Sequence, residues 1–321
     1  MPLQILLLLL SLTIVILGAN YLVAGSSSVA RRLGVSEFII GLTIVGIGTS
    51  MPELVVSFTG AIMGNSDISV GNVVGSNIFN VFLILGVSAL MRPIEITRSN
   101  LRRDLPINVI VTSLLILLGM SYSLFGLGSG NNLSRIEGSL FLVLFIAYLI
   151  FSFKEDNPSS GSEEESSDKF VKLPLAILMI IGGLAGLIFG GKIFVESAEK
   201  IARALNVSDK FIAITILACG TSLPELMTNI VAAIKHKGQM ALGNILGSNI
   251  SNILLILGGS AVLHPLSFNG MNWGDLGIML LSTVVLITAA YTNKKGKLDR
   301  LEGVIFITIF LAYMVWLFIK L

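Results

Sequence analysis

Two glutamates stand inside long apolar runs, each directly after a proline: Glu53 in GTSMPEL (48–54) and Glu225 in GTSLPEL (220–226). A charged side chain near the centre of a bilayer costs several kcal/mol, so neither carboxylate is expected to face lipid. No Lys or Arg lies in these runs at comparable depth. The partner that remains is a bound cation or a proton, and the two motifs therefore predict a buried cation or proton site.

The proline in each motif predicts that the helix opens beside the glutamate. Pro52 has no N–H to donate to the carbonyl of Gly48, and its ring pushes that turn apart. Carbonyls freed at membrane depth are tolerated only where they line a cavity or bind a ligand. Thr49, Ser50 and Glu53 lie at i, i+1 and i+4, so we expect them to converge on one spot. The second motif repeats the arrangement with Thr221, Ser222, Pro224 and Glu225.

The next apolar run in each half supplies further oxygen atoms. Ser76 and Asn80 are four residues apart and share a helix face, as do Ser248 and Asn252. Carboxylates, amides, hydroxyls and carbonyls without sulfur or imidazole suit hard cations, Ca²⁺ among them. They do not suit zinc or copper, and Mg²⁺, which needs a tighter octahedron, ranks lower. The neighbouring Asn77 and Asn249 are either ligands or residues that join helices.

Membrane helices are the elements that must position these residues. The 321-residue chain is 54% hydrophobic and 12% charged, about half the charged fraction of a soluble domain. Its apolar runs, of about 17 to 27 residues, are long enough to cross a bilayer. The first run is too long for the apolar part of a signal peptide and is interpreted as a span. We predict ten spans, at about 3–23, 36–62, 68–90, 105–121, 136–153, 174–195, 208–234, 240–262, 273–291 and 300–320.

The chain repeats itself at an offset of 172 residues, which aligns 33–54 with 205–226 and 71–80 with 243–252 without gaps. Five predicted spans separate each helix from its counterpart, so the two cross the membrane in opposite directions. Inverted repeats of this kind are typical of secondary transporters. Glycines at matched positions, Gly71, Gly75, Gly243 and Gly247, are expected to allow close helix packing.

These observations predict an all-α membrane protein of ten helices with broken helices at the ion site. Its parts are a first five-helix repeat at 1–153, a flexible acidic linker at 154–173 and an inverted second repeat at 174–321. Lys and Arg are concentrated in the loops after odd-numbered spans, which puts those loops in the cytoplasm. Both termini are then outside, and the 154–173 linker is cytoplasmic.

The paired motifs GTSMPEL…GNVVGSNIFN and GTSLPEL…GNILGSNISN resemble the alpha-repeats of the sodium/calcium exchanger family, in the cation/calcium antiporter superfamily. The resemblance covers nearly the whole chain. The short linker looks like that of a prokaryotic member, which implies a prokaryotic inner or plasma membrane. Some family members, including potassium-dependent relatives, have an aspartate where this chain has Asn252, so only two carboxylates remain here.

The resemblance also implies a ligand set. Ca²⁺ would be bound by Glu53 and Glu225 together with the carbonyls of Thr49 and Thr221. The implied Na⁺ ligands are the two glutamates, the serines and two carbonyls: Gly46, Ser50, Glu53, Ser76, Ala218, Ser222, Glu225 and Ser248. Asn80 and Asn252 would line the centre of the site.

Shared ligands predict antiport. If both ions need Glu53 and Glu225, they cannot occupy the site together, and the empty site would reorient at high cost because its carboxylates are unpaired. We expect a secondary active antiporter that exchanges Ca²⁺ for Na⁺ by alternating access. The resemblance implies three Na⁺ per Ca²⁺, hence electrogenic exchange, and implies that spans one and six slide as a gate. A Ca²⁺/H⁺ antiporter is the alternative, because buried glutamates can take protons, although the four serines favour Na⁺.

Other functional classes fit less well. A channel needs a continuous polar path, whereas spans one, four, five, nine and ten are almost wholly apolar. The spans contain no zinc motif and no Ser/Lys or Ser/His pair, so an enzyme is not expected. We expect no resident cofactor, nucleic acid or obligate protein partner. The expected partners are the transported ions, Ca²⁺ and Na⁺ (or H⁺), and membrane lipid.

Overall fold

The computed structural model describes residues 2–127, 130–156, 171–205, 220–292 and 296–320. Its helices, in chain order, are α1 (Pro2–Leu33), α2 (Glu37–Thr49), α3 (Met51–Ile62), α4 (Ser66–Met91), α5 (Leu105–Gly119), α6 (Ser121–Phe125), α7 (Arg135–Lys154), α8 (Leu173–Ala204), α9 (Leu223–Ile234), α10 (Gly238–Leu263), α11 (Trp273–Thr292) and α12 (Arg300–Lys320). Its short strands are β1 (Ile94–Glu95), β2 (Asn132–Leu133), β3 (Leu266–Ser267) and β4 (Lys297–Leu298).

The predicted class, an all-helical membrane protein, is confirmed. Within the described ranges seven helices are long and apolar enough to cross a membrane, and α2 with α3 makes an eighth if the bent pair is one span. The predicted span at 105–121 contains α5, which has 15 residues. Much of the predicted span at 208–234 and most of the predicted linker at 154–173 lie outside the described residues. The count of ten spans therefore stays a prediction.

Helices α1 and α8 are longer than the predicted spans at 3–23 and 174–195. Each has 32 residues, about 48 Å of helix, which exceeds the hydrocarbon thickness of about 30 Å. The predicted spans end where the apolar run ends. The helical backbone of α1 continues beyond that point through its serines, which are buried. It ends at Gly34, whose φ of +63° is the left-handed conformation that glycine adopts after a helix.

The predicted break beside each glutamate is present. Ser50 separates α2 from α3 with φ −80° and ψ 9°, and the two helices meet at a bend of 48°. Ser222 precedes α9 with nearly the same conformation, φ −86° and ψ 9°. In both halves Pro at the second helical position removes one ladder hydrogen bond. The repeat in sequence is therefore also a repeat in backbone conformation.

Helices α4 and α10 carry a feature that the sequence did not indicate. Each contains a π-helical turn that starts at its central asparagine, Asn80–Leu85 in α4 and Asn252–Leu257 in α10. A third π-helical turn, Gly41–Val45, precedes the break in α2. Such turns widen the helix locally and are frequent at functional sites.

The close packing predicted for glycines is confirmed where α10 crosses α2. A side chain at Gly243 would collide with the carbonyl of Phe38, and one at Gly247 would collide with that of Leu42. Gly75, in α4, has no described atom within 4 Å. The close packing expected at Gly75 is therefore not seen among the described residues.

Helices α1 and α8 pack along each other as a layer of their own. Gly18 and Gly183 bring the two backbones together, since a side chain on either glycine would meet the carbonyl of the other. An apolar cluster runs along this pair and includes Val15, Leu22, Ile180 and Leu187, separate from the main core around α4 and α10. The pair meets the remaining helices through this apolar cluster and through two hydrogen bonds of α1, from Ser27 to Glu37 and from Lys235 to the Asn20 carbonyl.

The helix contacts at Gly243 give a stability prediction. Gly243→Ala should lower the melting temperature of the purified protein, because overpacking against a fixed backbone costs about 1–3 kcal/mol. Gly277→Ala in α11 is the matched control, since no described atom lies within 4 Å of Gly277. Thermal unfolding in detergent measures both, and equal melting temperatures for the two variants would contradict the packing argument.

Candidate cation-binding site

The two glutamates are buried and receive hydrogen bonds across the repeat. Glu53 in α3 and Glu225 in α9 are each 1% exposed. Ser222 Oγ donates to Glu53 Oε1 at 2.9 Å, and Ser50 Oγ donates to Glu225 Oε1 at 3.0 Å. Each serine at a helix break therefore hydrogen-bonds the carboxylate of the opposite half, and the two motifs come together at a single candidate site.

The serines of α4 and α10, which are matched in sequence, bond differently. Ser76 Oγ donates to Glu53 Oε1 at 3.3 Å and lies 3.3 Å from Ser222 Oγ. Ser248 Oγ donates instead to the Gly46 carbonyl at 3.1 Å. All four predicted serines thus lie beside a predicted ligand atom.

Four buried oxygen atoms at the site have no hydrogen-bond donor among the described residues. They are Oε2 of Glu53, Oε2 of Glu225, Oδ1 of Asn80 and Oδ1 of Asn252. Folded proteins pair the large majority of buried polar atoms, and an unpaired buried carboxylate is especially costly. The four oxygens are related by the repeat, two on each half. A bound cation would give all four acceptors a partner, and a proton would give one to a carboxylate.

No basic side chain compensates the two carboxylates. Within the described ranges neither glutamate forms an ion pair. The same ranges contain no cluster of three or more His, Cys, Asp or Glu residues. If both carboxylates are ionised, their charge of two balances one divalent or two monovalent cations, held otherwise by neutral oxygen atoms.

Asn77 and Asn249, which the sequence left open between two roles, join α4 to α10. Asn80 Nδ2 donates to Asn249 Oδ1, and Asn252 Nδ2 donates to Asn77 Oδ1, both at 3.0 Å. Asn77 Nδ2 also donates to the carbonyl of Asn249 at 3.2 Å. They hold the asparagines that line the site.

The threonine hydroxyl in the first motif lies beside the same carboxylate as that of Ser50, Glu225, but donates to its own helix. Thr49 Oγ1 donates to the Val45 carbonyl of its own helix at 2.9 Å and lies 3.2 Å from Asn244 Oδ1. A threonine hydroxyl commonly turns back to its own helix in this way. The expectation that its carbonyl is a ligand stays a prediction.

The remaining predicted ligands differ in how far the structure describes them. The Gly46 carbonyl accepts from Ser248 and, at 3.3 Å, from the Ser50 N–H. Thr221 is half-buried immediately before α9. Ala218 lies outside the described residues.

Two asparagines that the sequence analysis did not single out support the broken segments. Asn72 Nδ2 donates to the carbonyl of Glu53 at 3.2 Å. Asn244, its counterpart in the repeat, faces Thr49 with Oδ1 and donates from Nδ2 to Asn229 Oδ1 at 2.6 Å. Their matched places in the duplicated Gly-Asn motif were the signal that could have identified them.

Comparison with known proteins supports the interpretation of this site. The family model for the sodium/calcium exchanger protein matches residues 3–154 and 175–319. The chain is 36% identical over 318 residues to the putative antiporter CaxA of Alkalimonas amylolytica, covering 97% of both chains. It is 35% identical over 348 residues to the sodium/calcium exchanger MaX1 of Methanosarcina acetivorans, covering 98% of both. Solved structures of the sodium-calcium exchanger NCX_Mj match with a TM-score of 0.82 and 32% identity over 97% of both chains.

The unpaired acceptors predict that a hard cation stabilises the fold. Ca²⁺ at 100 times its dissociation constant should add about 2.7 kcal/mol and raise the melting temperature measurably. Glu53→Gln should remove most of this shift, because it removes one of two charges in the site. Glu95→Gln is the control, since Glu95 is half-exposed in a surface ion pair with Lys297. A Ca²⁺-induced shift that survives Glu53→Gln would contradict the assignment.

Proposed function

The chain belongs to the sodium/calcium exchanger family, and on this premise we propose that it exchanges Ca²⁺ for Na⁺ across a membrane by alternating access. The observation that carries the proposal is the set of four unpaired oxygens on Glu53, Glu225, Asn80 and Asn252. Both ions favour oxygen ligands and have similar radii. If they share this set, they exclude one another, which is the basis of exchange.

The ligand assignment extends the observed contacts. Ca²⁺ would take both glutamates, with the carbonyls of Thr49 and Thr221. The ligands proposed for Na⁺ are Gly46, Ser50, Glu53, Ser76, Ala218, Ser222, Glu225 and Ser248. In support, the hydroxyls of Ser50, Ser76 and Ser222 already touch a glutamate, and that of Ser248 touches the Gly46 carbonyl. Each hydroxyl can turn its proton away and present oxygen to an ion.

The cost of an empty site couples the two fluxes. Without an ion, two carboxylates would remain buried without a counter-charge, which opposes reorientation. Either Ca²⁺ or Na⁺ removes that penalty, so the loaded protein can change conformation and the empty one cannot do so readily. This difference in free energy between the loaded and the empty protein produces obligatory exchange.

The topology proposed for the transporter has ten spans in two inverted halves. The paired strands support it, because β1 pairs with β4 and β2 pairs with β3. Ten spans put β1 and β4 in loops on one side of the membrane and β2 and β3 in loops on the other. The basic loops would be cytoplasmic, with linker 154–173 there and both termini outside a prokaryotic inner or plasma membrane.

The gate in this proposal is the pair of helices α1 and α8. Apolar contacts connect the pair to the helix breaks: Leu184 of α8 packs on Gly48, and Val195 of α8 packs on Gly220. Side-chain contacts without hydrogen bonds can be exchanged during a small sliding motion. Movement of α1 and α8 would therefore open the site to one side and then to the other.

Transport by purified protein in proteoliposomes tests the proposal. Vesicles loaded with Na⁺ should take up ⁴⁵Ca²⁺, whereas vesicles loaded with K⁺ should not. Glu53→Gln and Glu225→Gln should each reduce uptake at least about 30-fold, because loss of a buried charge partner costs about 2 kcal/mol or more. Glu95→Gln should transport normally. Uptake that follows a pH gradient and ignores Na⁺ would instead establish the Ca²⁺/H⁺ antiporter that uses the same glutamates.

Electrogenic exchange predicts a response to voltage. If three Na⁺ leave for each Ca²⁺ that enters, one net positive charge leaves the vesicle, which corresponds to about 2.3 kcal/mol per 100 mV. A potential that is positive inside should accelerate Ca²⁺ uptake into Na⁺-loaded vesicles, and a negative one should slow it. Potassium gradients with valinomycin set the potential. Uptake that is independent of potential would contradict three-for-one exchange.

A further inference from the structure

We propose that Asn77 is a positioning residue that turns the amide oxygen of Asn252 toward the transported cation. The main-chain carbonyl of Asn249 sets the orientation of Asn77. The inference deepens the proposed function and rests on it. Asn77 accepts a hydrogen bond from the site residue Asn252 with Oδ1 and donates one to the Asn249 carbonyl with Nδ2.

An asparagine can present either of two opposite groups to an ion. Its amide carries oxygen on one side and NH₂ on the other, and the two have nearly the same shape. Oxygen attracts a cation, whereas NH₂ repels it. In a site shielded from water, a rotation of 180° about the last side-chain bond converts a ligand into an obstacle, so another group has to fix the orientation.

A chain of hydrogen bonds fixes the amide of Asn252. The Asn249 carbonyl can only accept, so the Asn77 atom that lies 3.2 Å from it must be the nitrogen. Asn77 Oδ1 then faces Asn252 and, being an acceptor, must receive the Asn252 nitrogen, 3.0 Å away. Asn252 Oδ1 remains, buried and without a donor among the described residues. Each assignment follows from whether the preceding atom can donate or only accept a hydrogen bond.

The corresponding chain in the other half is incomplete. Asn80 Nδ2 donates to Asn249 Oδ1 at 3.0 Å. Asn249 Nδ2, however, has no hydrogen-bond partner among the described residues. No main-chain group therefore determines which way the Asn249 amide points. The inference is accordingly restricted to Asn77 and Asn252.

Replacing Asn252 by aspartate distinguishes two roles of Asn77: orienting the Asn252 amide, or only supporting the packing of α4 on α10. Aspartate has oxygen at both positions, so either rotation presents a ligand atom. It has no N–H to donate to Asn77 Oδ1, so the hydrogen bond through which Asn77 sets the orientation is already lost in this background. If Asn77 acts by orienting the Asn252 amide, its side chain becomes dispensable in an Asn252→Asp background. If Asn77 only supports the packing of α4 on α10, its loss has the same effect in both backgrounds.

The experiment compares Asn77→Ala in the natural chain and in the Asn252→Asp chain. The readouts are the Ca²⁺ concentration for half-maximal ⁴⁵Ca²⁺ uptake into Na⁺-loaded vesicles and equilibrium Ca²⁺ binding measured by calorimetry. In the natural chain we expect Asn77→Ala to raise both constants by about tenfold. In the Asn252→Asp chain we expect a change of less than about twofold. Equal changes in the two backgrounds would overturn the inference and leave the proposed function intact.

Two further variants keep the result interpretable. Asn108→Ala is the matched control, because Asn108 is a buried asparagine of α5 that the site does not contact through a hydrogen bond, and it should leave both constants unchanged in either background. Asn77→Ser replaces Asn77→Ala if the alanine variant does not fold, and the same comparison applies. Absence of Ca²⁺ uptake and binding by the unmodified chain would overturn the proposed function, and this inference with it.

Discussion

The structure depends on one electrostatic constraint: two carboxylates, Glu53 and Glu225, are buried together, and no basic side chain in the described part of the chain pairs with either of them. Such a pair is tolerated only if something outside the chain supplies positive charge. The helix breaks, the convergent hydroxyls and the unpaired amide oxygens all answer this requirement, because each adds a neutral oxygen without adding a cation. The same constraint makes the empty site unfavourable, and in the proposed mechanism this cost is what couples the two ion fluxes.

Neither half of the chain can build this site alone. The serine at each helix break bonds the glutamate of the other half, and the asparagines of α4 and α10 bond one another across the same boundary. Any movement of one half relative to the other must therefore change the geometry of the candidate site. The site lies where the halves meet, and α8 packs against the two helix breaks beside it through Leu184 and Val195. In the proposed mechanism, sliding of α1 and α8 alters access to the site.

The two halves are alike in sequence but not in their contacts. Ser76 bonds a glutamate and Ser248 bonds a main-chain carbonyl, while Asn77 is anchored to the backbone and Asn249 is not. Identical residue types thus perform different tasks at matched positions. If the repeat is inverted, as proposed, such differences are expected when the halves have different conformations, since two identical halves would give a symmetric protein with no distinction between its two sides.

The sequence by itself determined the membrane class and the helix breaks at the two prolines. It also predicted the oxygen-only chemistry of the site and the candidate residues in both halves. These follow from local composition and from a repeat that can be read along the chain. Only the tertiary structure decided that Ser50 bonds Glu225 rather than Glu53, that Asn77 and Asn249 join α4 to α10, and that the Thr49 hydroxyl donates to the carbonyl of Val45. The π-helical turns at Asn80 and Asn252 and the full length of α1 and α8 were decided there as well. The physical reason is that a repeat shows only which residues correspond in sequence. Contacts depend on how segments about 170 residues apart in the chain approach each other in space, and the packing of the whole helix bundle sets that approach.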